Sequence, residues 1–295
     1  MIAPRLYKES PLVKNCNSST SLDSCTSVSK NSINNIKFIV IGDSHSYHLN
    51  GLFHELKKNY DLESLIYTST GQLYPDLKYS SKYRSLSTWD SENDSMNAFI
   101  SFVNPILDAN TIFVLSSRLE FYFIKDKFNL EHQNLNISLF DEENKLISES
   151  KALQNWIRKV NRVATNLKTK NIPLVIFSPI PVFKGLSSGN SYSLCSKAVF
   201  RPSVPEFCNE QIPRNILIKR FDNIRAALNK ISTTNNNIYI FDPFIHLCPP
   251  QNTSCDRSIF NIQYMDDDDH LSFHGSSFLS DSFIRYLKSQ NLIDY

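Results

Sequence analysis

Five strand-like apolar runs, separated by segments of helical periodicity, predict a doubly wound α/β fold around a five-stranded parallel sheet. The clearest run, Ile36 to Ile41, is nearly continuously apolar and β-branched, the pattern of a strand covered on both faces. It ends at Gly42, one of only six glycines in 295 residues; a second, Gly71, follows the next run. The length permits one large domain or two small ones, with ample material for a core.

Residues 1 to 35 are polar and rich in Ser and Asn. They read as a linker or lead-in without regular structure, which leaves 36 to 295 as the folded domain. After Ile41, the residues Leu49, Leu52, Phe53 and Leu56 recur at helical spacing to about Asn59, with Lys57 and Lys58 in the last turn. Leu62 to Thr68 is the second strand. Residues 76 to 95 are polar and irregular, a loop over the face that carries the strand ends. Ala98 to Leu107 has helix spacing, and Thr111 to Leu115 is the third strand. An aromatic-rich and then acidic insertion occupies 120 to 140. Asp141 to Lys170 places Leu146, Leu153, Trp156, Ile157, Val160, Val163 and Leu167 on one helical face, a long covering helix. Leu174 to Phe177 is the fourth strand. The polar stretch 182 to 212 is a long loop, and loops of that length in compact domains are usually functional, such as a lid that binds an acceptor. Leu217 to Ile231 is a helix, Asn237 to Phe241 the fifth strand, and Leu271 to Gln290 the closing helix. No internal repeat occurs.

Ligands in such folds bind at the carboxyl ends of the strands. There, Gly42-Asp43-Ser44 stands at a strand-to-helix turn, where a serine is presented beside helix N-terminal amides able to stabilise a developing oxyanion. Taken alone, Ser44 reads more readily as a helix cap than as a nucleophile. At the far end of the chain, Asp267 and His270 lie three residues apart, so in a tight turn the carboxylate can hold the imidazole. Serine, base and orienter together make the triad logic of nucleophilic catalysis. The neighbouring Asp266, Asp268 and Asp269 read as solvated loop carboxylates. A cluster of hard oxygens suits Mg²⁺ or Ca²⁺, but no second carboxylate cluster stands in a definable relation to it, so neither metal nor cofactor is expected.

Net charge is +2 with scattered basic residues, which gives no electrostatic reason to expect nucleic acid. No apolar stretch reaches the length of a membrane span. The first fifteen residues, with Lys8, Glu9 and Lys14, lack the apolar centre of a signal peptide, which read alone suggests cytoplasm. The cysteines argue otherwise. All six fall into close pairs, Cys16 with Cys25, Cys195 with Cys208 and Cys248 with Cys255, within polar loops. Fifteen connectivities are possible, and free thiols are the alternative. Nearest-neighbour staples across about ten residues would each contribute about 2–3 kcal/mol and would place the chain outside the reducing cytosol.

Gly42-Asp43-Ser44-His45 resembles the first sequence block of SGNH (GDSL-like) hydrolases, and Asp267-Asp268-Asp269-His270-Leu271 resembles their last, Asp-x-x-His-Leu. The likeness is greatest to the extracytoplasmic SGNH domain fused behind acyltransferase-3 membrane domains, proteins that acylate cell-surface glycans. Ser69 to Pro75, Cys248-Pro249 through Cys255, and Asp266 to His270 match that branch in order. The resemblance runs from Ile36 to the end of the chain.

It implies a flavodoxin-like sheet, the triad Ser44, Asp267 and His270, and an oxyanion N–H from Gly71; independently, Gly71 can simply permit a turn of positive φ. General SGNH hydrolases carry an Asn after the third strand, and none stands here. Ser117-Arg118-Leu119 is similar to an Ala-Arg-Trp-like sequence of the fused branch, which makes Arg118 either a cationic donor in the pocket or an anchor for a loop carboxylate. His45 is a further candidate, as a substrate contact or a cap of the turn. The implied function is acyl transfer, most simply of acetyl, to hydroxyls of a cell-surface glycan, with an acyl-donating membrane domain as partner and an extracytoplasmic location. A carbohydrate esterase using the same residues is the alternative, and a glycan-binding module without turnover is a third reading.

Overall fold

The computed structural model describes residues 14–17, 36–68, 72–81, 100, 103–104, 107–125, 137–183, 206–259 and 262–294. Its centre is a six-stranded sheet of β1 (Lys14–Asn17), β2 (Ile36–Gly42), β3 (Glu63–Thr68), β4 (Ile112–Leu115), β5 (Leu174–Phe177) and β6 (Ile238–Phe241), in the spatial order β1-β3-β2-β4-β5-β6. Every neighbouring pair is parallel. The five expected strands are all present in the flavodoxin-like order. The lead-in, expected to be irregular, instead contributes β1 at the sheet edge, paired in register from Lys14↔Leu65 to Asn17↔Thr68. A polar run can do this because an edge strand is held by backbone hydrogen bonds and need not be apolar.

Strand β2 explains the layering. Phe38, Ile39, Val40 and Ile41 are all inaccessible to solvent, and alternate residues face opposite layers. Ile39 and Ile41 pack with Trp156, Val160 and Leu167 on one face, while Phe38 and Val40 pack with Leu52, Phe53 and Phe283 on the other. Each such side chain contributes about 1.5–3 kcal/mol on burial. The covering helices are α1 (Ser44–Tyr47), α2 (Asn50–Tyr60), α3 (Leu119–Phe123), α4 (Glu149–Lys168), α5 (Arg214–Thr234), α6 (Phe273–Ser277) and α7 (Ser280–Ser289).

Three helices differ from the sequence expectation, the first being divided into α1 and α2 at His48 and Leu49 where one helix was expected to about Asn59. The long covering helix begins at Glu149 rather than Asp141, because Ser148 caps it by accepting from the Lys151 N–H at 3.3 Å. The preceding residues instead form a hairpin, Ser138–Phe140 against Leu146–Ile147, turning through Asn144 at φ 63°. Asp141 accepts from the Glu143 and Lys145 amides and closes that turn. The closing helix is divided into α6 and α7 at Phe278 and Leu279, with Ser272 capping the first. The expected helix at 98–107 falls largely outside the described residues, as do the greater parts of the loops expected at 76–95 and 182–212.

Cys248 and Cys255 form a disulfide, and Cys208 is also disulfide-bonded. The pairings with Cys195 and of Cys16 with Cys25 lie outside the described residues. Among the described residues no helix is long and apolar enough to cross a membrane.

Register brings the chemistry to one edge. Gly42 pairs with Thr68, and Ile41 with both Tyr67 and Leu115, so the turns after β2, β3 and β4 leave the sheet at one level. The far end of the chain is drawn in by close helix packing. A Cβ on Gly51 of α2 would stand 2.0 Å from the Phe273 carbonyl oxygen of α6, and the Gly51 N–H donates to Ser276 Oγ at 3.1 Å. Phe283 of α7 meets Phe38, Phe177 and Phe241 at ring separations of 6.0, 5.3 and 5.0 Å. These contacts fix the segment that carries His270 against the helix that follows Ser44.

Candidate active site

Gly42 is required by the close approach of β2 and the turn after β4. A Cβ there would stand 1.6 Å from the Ser116 carbonyl oxygen. Beyond it, Asp43 joins the two turns: its carboxylate accepts the His45 N–H at 2.9 Å and the Arg118 N–H at 2.9 Å. Ser46 completes the frame, donating to the Asp43 carbonyl at 2.8 Å and lying 2.8 Å from Thr68 Oγ1. Ser116 Oγ donates to the His45 carbonyl at 3.0 Å. Ser44 starts α1 on this frame and stays partly exposed.

The opposite side is a tight turn closed by a bridge between Met265 and Leu271 and by the Asp266 N–H donating to the His270 carbonyl at 2.7 Å. Asp267 Oδ1 accepts the Asp269 and His270 amides at 3.0 and 2.7 Å, which folds the turn. The same carboxylate reaches His270 Nδ1, at 2.8 Å from Oδ2 and 3.0 Å from Oδ1. His270 Nε2 is 2.7 Å from Ser44 Oγ. A continuous chain thus runs from hydroxyl to imidazole to carboxylate.

Asp269, expected to be a solvated carboxylate, is 1% exposed, and Asp266 is buried as well; Asp268 is half-buried. Their burial corrects the expectation, and its cause is the turn itself, which points Asp269 inward. Asp269 Oδ1 lies 2.7 Å from His270 Nδ1, and Oδ2 meets the Arg118 guanidinium. Arg118 also lies 3.6 Å from Glu120 and over the Phe121 ring. His45 is buried, its ring 4.5 Å from that of His48 and 4.9 Å from that of His270, with Nε2 at 3.8 Å from Asp269. Gly71 lies outside the described residues.

Titration follows from this packing. Burial alone would push the His270 imidazole down, but the charge of the closely paired Asp269 and the hydrogen bond to Asp267 hold it well above its ordinary value. Burial would raise Asp269, yet Arg118 and His270 keep it well below the carboxylate range. Burial and the charge of Asp269 push Asp268 up to about 7. Burial, followed by the fields of His45 and His270, lowers His48 well below its ordinary value. His48 Nδ1 accepts the Leu271 N–H at 3.3 Å, which requires that nitrogen to be unprotonated. Burial also raises Glu120 against the opposing charges of His45 and Arg118. Behind the acidic turn, Arg257 is buried with its guanidinium 3.9 Å from Glu210 and 5.4 Å from the Phe183 ring centroid.

Asp43, Ser46, His48, Ser116 and Asp269 are the residues that sequence reasoning passed over as contributors to the site. Asp43 carried a signal, since an Asp before a strand-to-helix serine is a helix cap. The others carried none, because their roles depend on contacts more than twenty residues away or, for Asp269, on which way a turn points.

Among the groups that could in principle hold a cation, His45, Asp269 and His270 form one cluster and Asp267, Asp268 and Asp269 another. In both, Asp269 is engaged by Arg118, so the donor set already carries its own cation and does not fit a resident metal.

Solved structures similar to the chain include a GDSL-like lipase from Bacteroides thetaiotaomicron, at 10% identity over 90% of this chain and 94% of that one, with a TM-score of 0.45. Another is an acetyl xylan esterase, at 14% identity over 85% and 98%, with a TM-score of 0.44. A third is TesA, at 8% identity over 86% and 99%, with a TM-score of 0.41. No curated protein matches the chain. The model of the family described as the SGNH domain fused to AT3 domains matches residues 13–285, nearly the whole length. Together with a serine, a histidine and carboxylates assembled from the two ends of that match, this decides membership: the chain belongs to the family of SGNH domains that are fused to AT3 domains.

Proposed function

We propose that this domain transfers an acyl group, acetyl in the simplest case, to hydroxyls of a cell-surface glycan through a covalent ester on Ser44. The observation that carries this reading is the continuous Ser44 Oγ to His270 Nε2 to Asp267 chain, at 2.7 and 2.8 Å. His270 takes the Ser44 proton as Oγ attacks the acyl carbonyl, and Asp267 holds the imidazole by Nδ1. The tetrahedral intermediate collapses to the Ser44 ester as the donor's leaving group departs with the proton from His270. A sugar hydroxyl then attacks that ester, gives its proton to His270, and leaves as the acylated glycan while Ser44 recovers its hydrogen. The resemblance assigns oxyanion stabilisation to the backbone N–H groups of Ser44 and Gly71.

Fusion to AT3 domains in the family supports a membrane domain as the acyl donor. The Cys248–Cys255 disulfide supports an extracytoplasmic location. The second reading is a carbohydrate esterase, favoured by the partial exposure of both Ser44 and His270, which admits water to the same ester.

The test is acetate release from an activated acetyl ester by wild type and Ser44→Ala, with and without added glycan. Turnover that vanishes in Ser44→Ala and is diverted from water to sugar when glycan is present supports the transferase. Release unaffected by glycan favours the esterase. Equal inertness of wild type and variant toward ester and glycan would overturn both.

A further inference from the structure

We propose that Asp269 is a second orienting carboxylate of His270 and that Arg118 is its fixed counter-ion, so that Arg118 acts as a positioning residue behind the imidazole. This rests on the reading of His270 as the base for Ser44.

The geometry distinguishes the two carboxylates. Asp267 Oδ1 is occupied in folding the turn, accepting two backbone amides, while Oδ2 reaches Nδ1 at 2.8 Å. Asp269 Oδ1 reaches the same nitrogen at 2.7 Å, and a single N–H serves only one acceptor well at a time. Two full negative charges on one imidazole would hold its proton too firmly for a base working near neutrality. Arg118 meets the Asp269 oxygen that faces away from His270. It thereby withdraws much of that charge while leaving the Oδ1 contact with the imidazole in place. The Arg118 backbone is held in turn by Asp43, the residue just before the nucleophile. Counter-ion and serine therefore share one support.

Among the described residues, charged and titratable groups from three turns surround His270, with Asp266 bonded through its N–H to the His270 carbonyl and Asp43 on the Arg118 amide. Ser44, His45 and His48 face it from the turn after β2, with the two histidine rings 4.9 and 6.0 Å away. Asp267 and Asp269 face it from its own turn, with Asp268 between them. Arg118 and Glu120 stand behind Asp269, and Arg257 lies behind Asp267 and Asp268. Glu120 is held toward its neutral form by burial, which weakens its claim on Arg118 against Asp269, and His48 accepts a hydrogen bond at Nδ1, so it does not replace Arg118 as the neutralising group.

The experiment follows the His270 ring by NMR during pH titration of the full chain, a readout that needs no turnover, and compares it with the acid limb of ester hydrolysis. Asp269→Asn is expected to lower the midpoint by about one pH unit, and Arg118→Met to raise it by a similar amount. Arg118→Lys, which keeps the charge, is expected to return it toward wild type. The double variant Arg118→Met/Asp269→Asn should titrate close to Asp269→Asn alone, because Arg118 then has no carboxylate left to neutralise. A midpoint unchanged in Asp269→Asn overturns the proposal, and that variant decides the matter alone if Arg118→Met does not fold. A large loss of turnover in Arg118→Met with no movement of the midpoint would also overturn it, returning Arg118 to the oxyanion side. If Ser44→Ala retains full activity while the midpoints move as expected, the covalent reading fails and the electrostatic one stands.

Discussion

Gly42→Ala tests how the sheet builds the site, because the glycine lies two residues before Ser44 and acts only through the close approach of two turns. Its added methyl would begin 1.6 Å from the Ser116 carbonyl oxygen, and real contacts of this kind are not closer than 3.0 Å, so the two turns must part by at least 1.4 Å. The obstruction is backbone, which cannot rotate away as a side chain would. Parting the turns also stretches the bond from the Ser116 N–H to the Ile41 carbonyl, now 3.0 Å. Overpacking of this kind costs about 1–3 kcal/mol, and a lost backbone bond about 1 kcal/mol more. Alanine restricts the unfolded chain, which offsets about 0.4–1 kcal/mol. A net loss of about 2 kcal/mol is expected in urea unfolding monitored by far-UV circular dichroism. Displacement of Ser44 relative to His270 by about 1 Å is expected to lower ester turnover on the order of a hundredfold. An alanine variant within about 0.5 kcal/mol of wild type and with undiminished turnover would refute the claim that this contact sets the site.

Asp267→Asn keeps an oxygen for the two turn amides but weakens the hold on Nδ1, so turnover should drop on the order of a hundredfold or more while the melting temperature changes little. Asp268 is the reverse case, a stability effect without a catalytic one. Its carboxyl is raised to about 7 when folded, from 3.8, so the ionised group destabilises the fold. That penalty is absent below the unfolded value and complete above about 7, so Asp268→Asn should raise the melting temperature at pH 8 and leave it nearly unchanged at pH 3.5. For His270 the sign is the familiar one for a paired histidine. Its stabilisation is fully present below the unfolded value of 6.5 and is lost as pH rises through the elevated folded value, so His270→Gln should cost more stability at pH 6 than at pH 9. Cys248→Ser with Cys255→Ser opens a staple across seven residues and should cost about 2–3 kcal/mol, with the melting temperature of the variant no longer sensitive to reductant at that loop.

The sheet was legible because its strands are buried on both faces. A run such as Ile36 to Ile41 has few other uses, and the register then follows from the parallel order. The approach of Ser44 to His270 was legible because one follows a strand end and the other opens the last helical segment. Strand β1 was not, since Lys14-Asn15-Cys16-Asn17 bonds through its backbone and carries no apolar signature. Asp269 was hidden for a different reason. In a run of four aspartates the residue type is constant, and only the fold of the turn decides which carboxylate faces solvent and which faces Arg118. Arg118 was read with two roles open, and the partner that distinguishes them is 151 residues away in sequence. The early start predicted for α4 failed because apolar Leu146 fits a helical stripe, whereas it is the exposed end of a hairpin strand that the Ser148 cap separates from the helix.

The most direct test of the covalent reading is to trap the ester. The full chain would be mixed briefly with an activated acetyl donor, quenched in acid, and its peptides analysed by mass spectrometry beside Ser44→Ala treated in the same way. One acetyl group on the peptide containing Ser44, absent from the variant and lost on addition of water or sugar acceptor at neutral pH, is the predicted result. An enzyme that turns over the donor without ever carrying acetyl on that peptide, and does so equally well as Ser44→Ala, would contradict it.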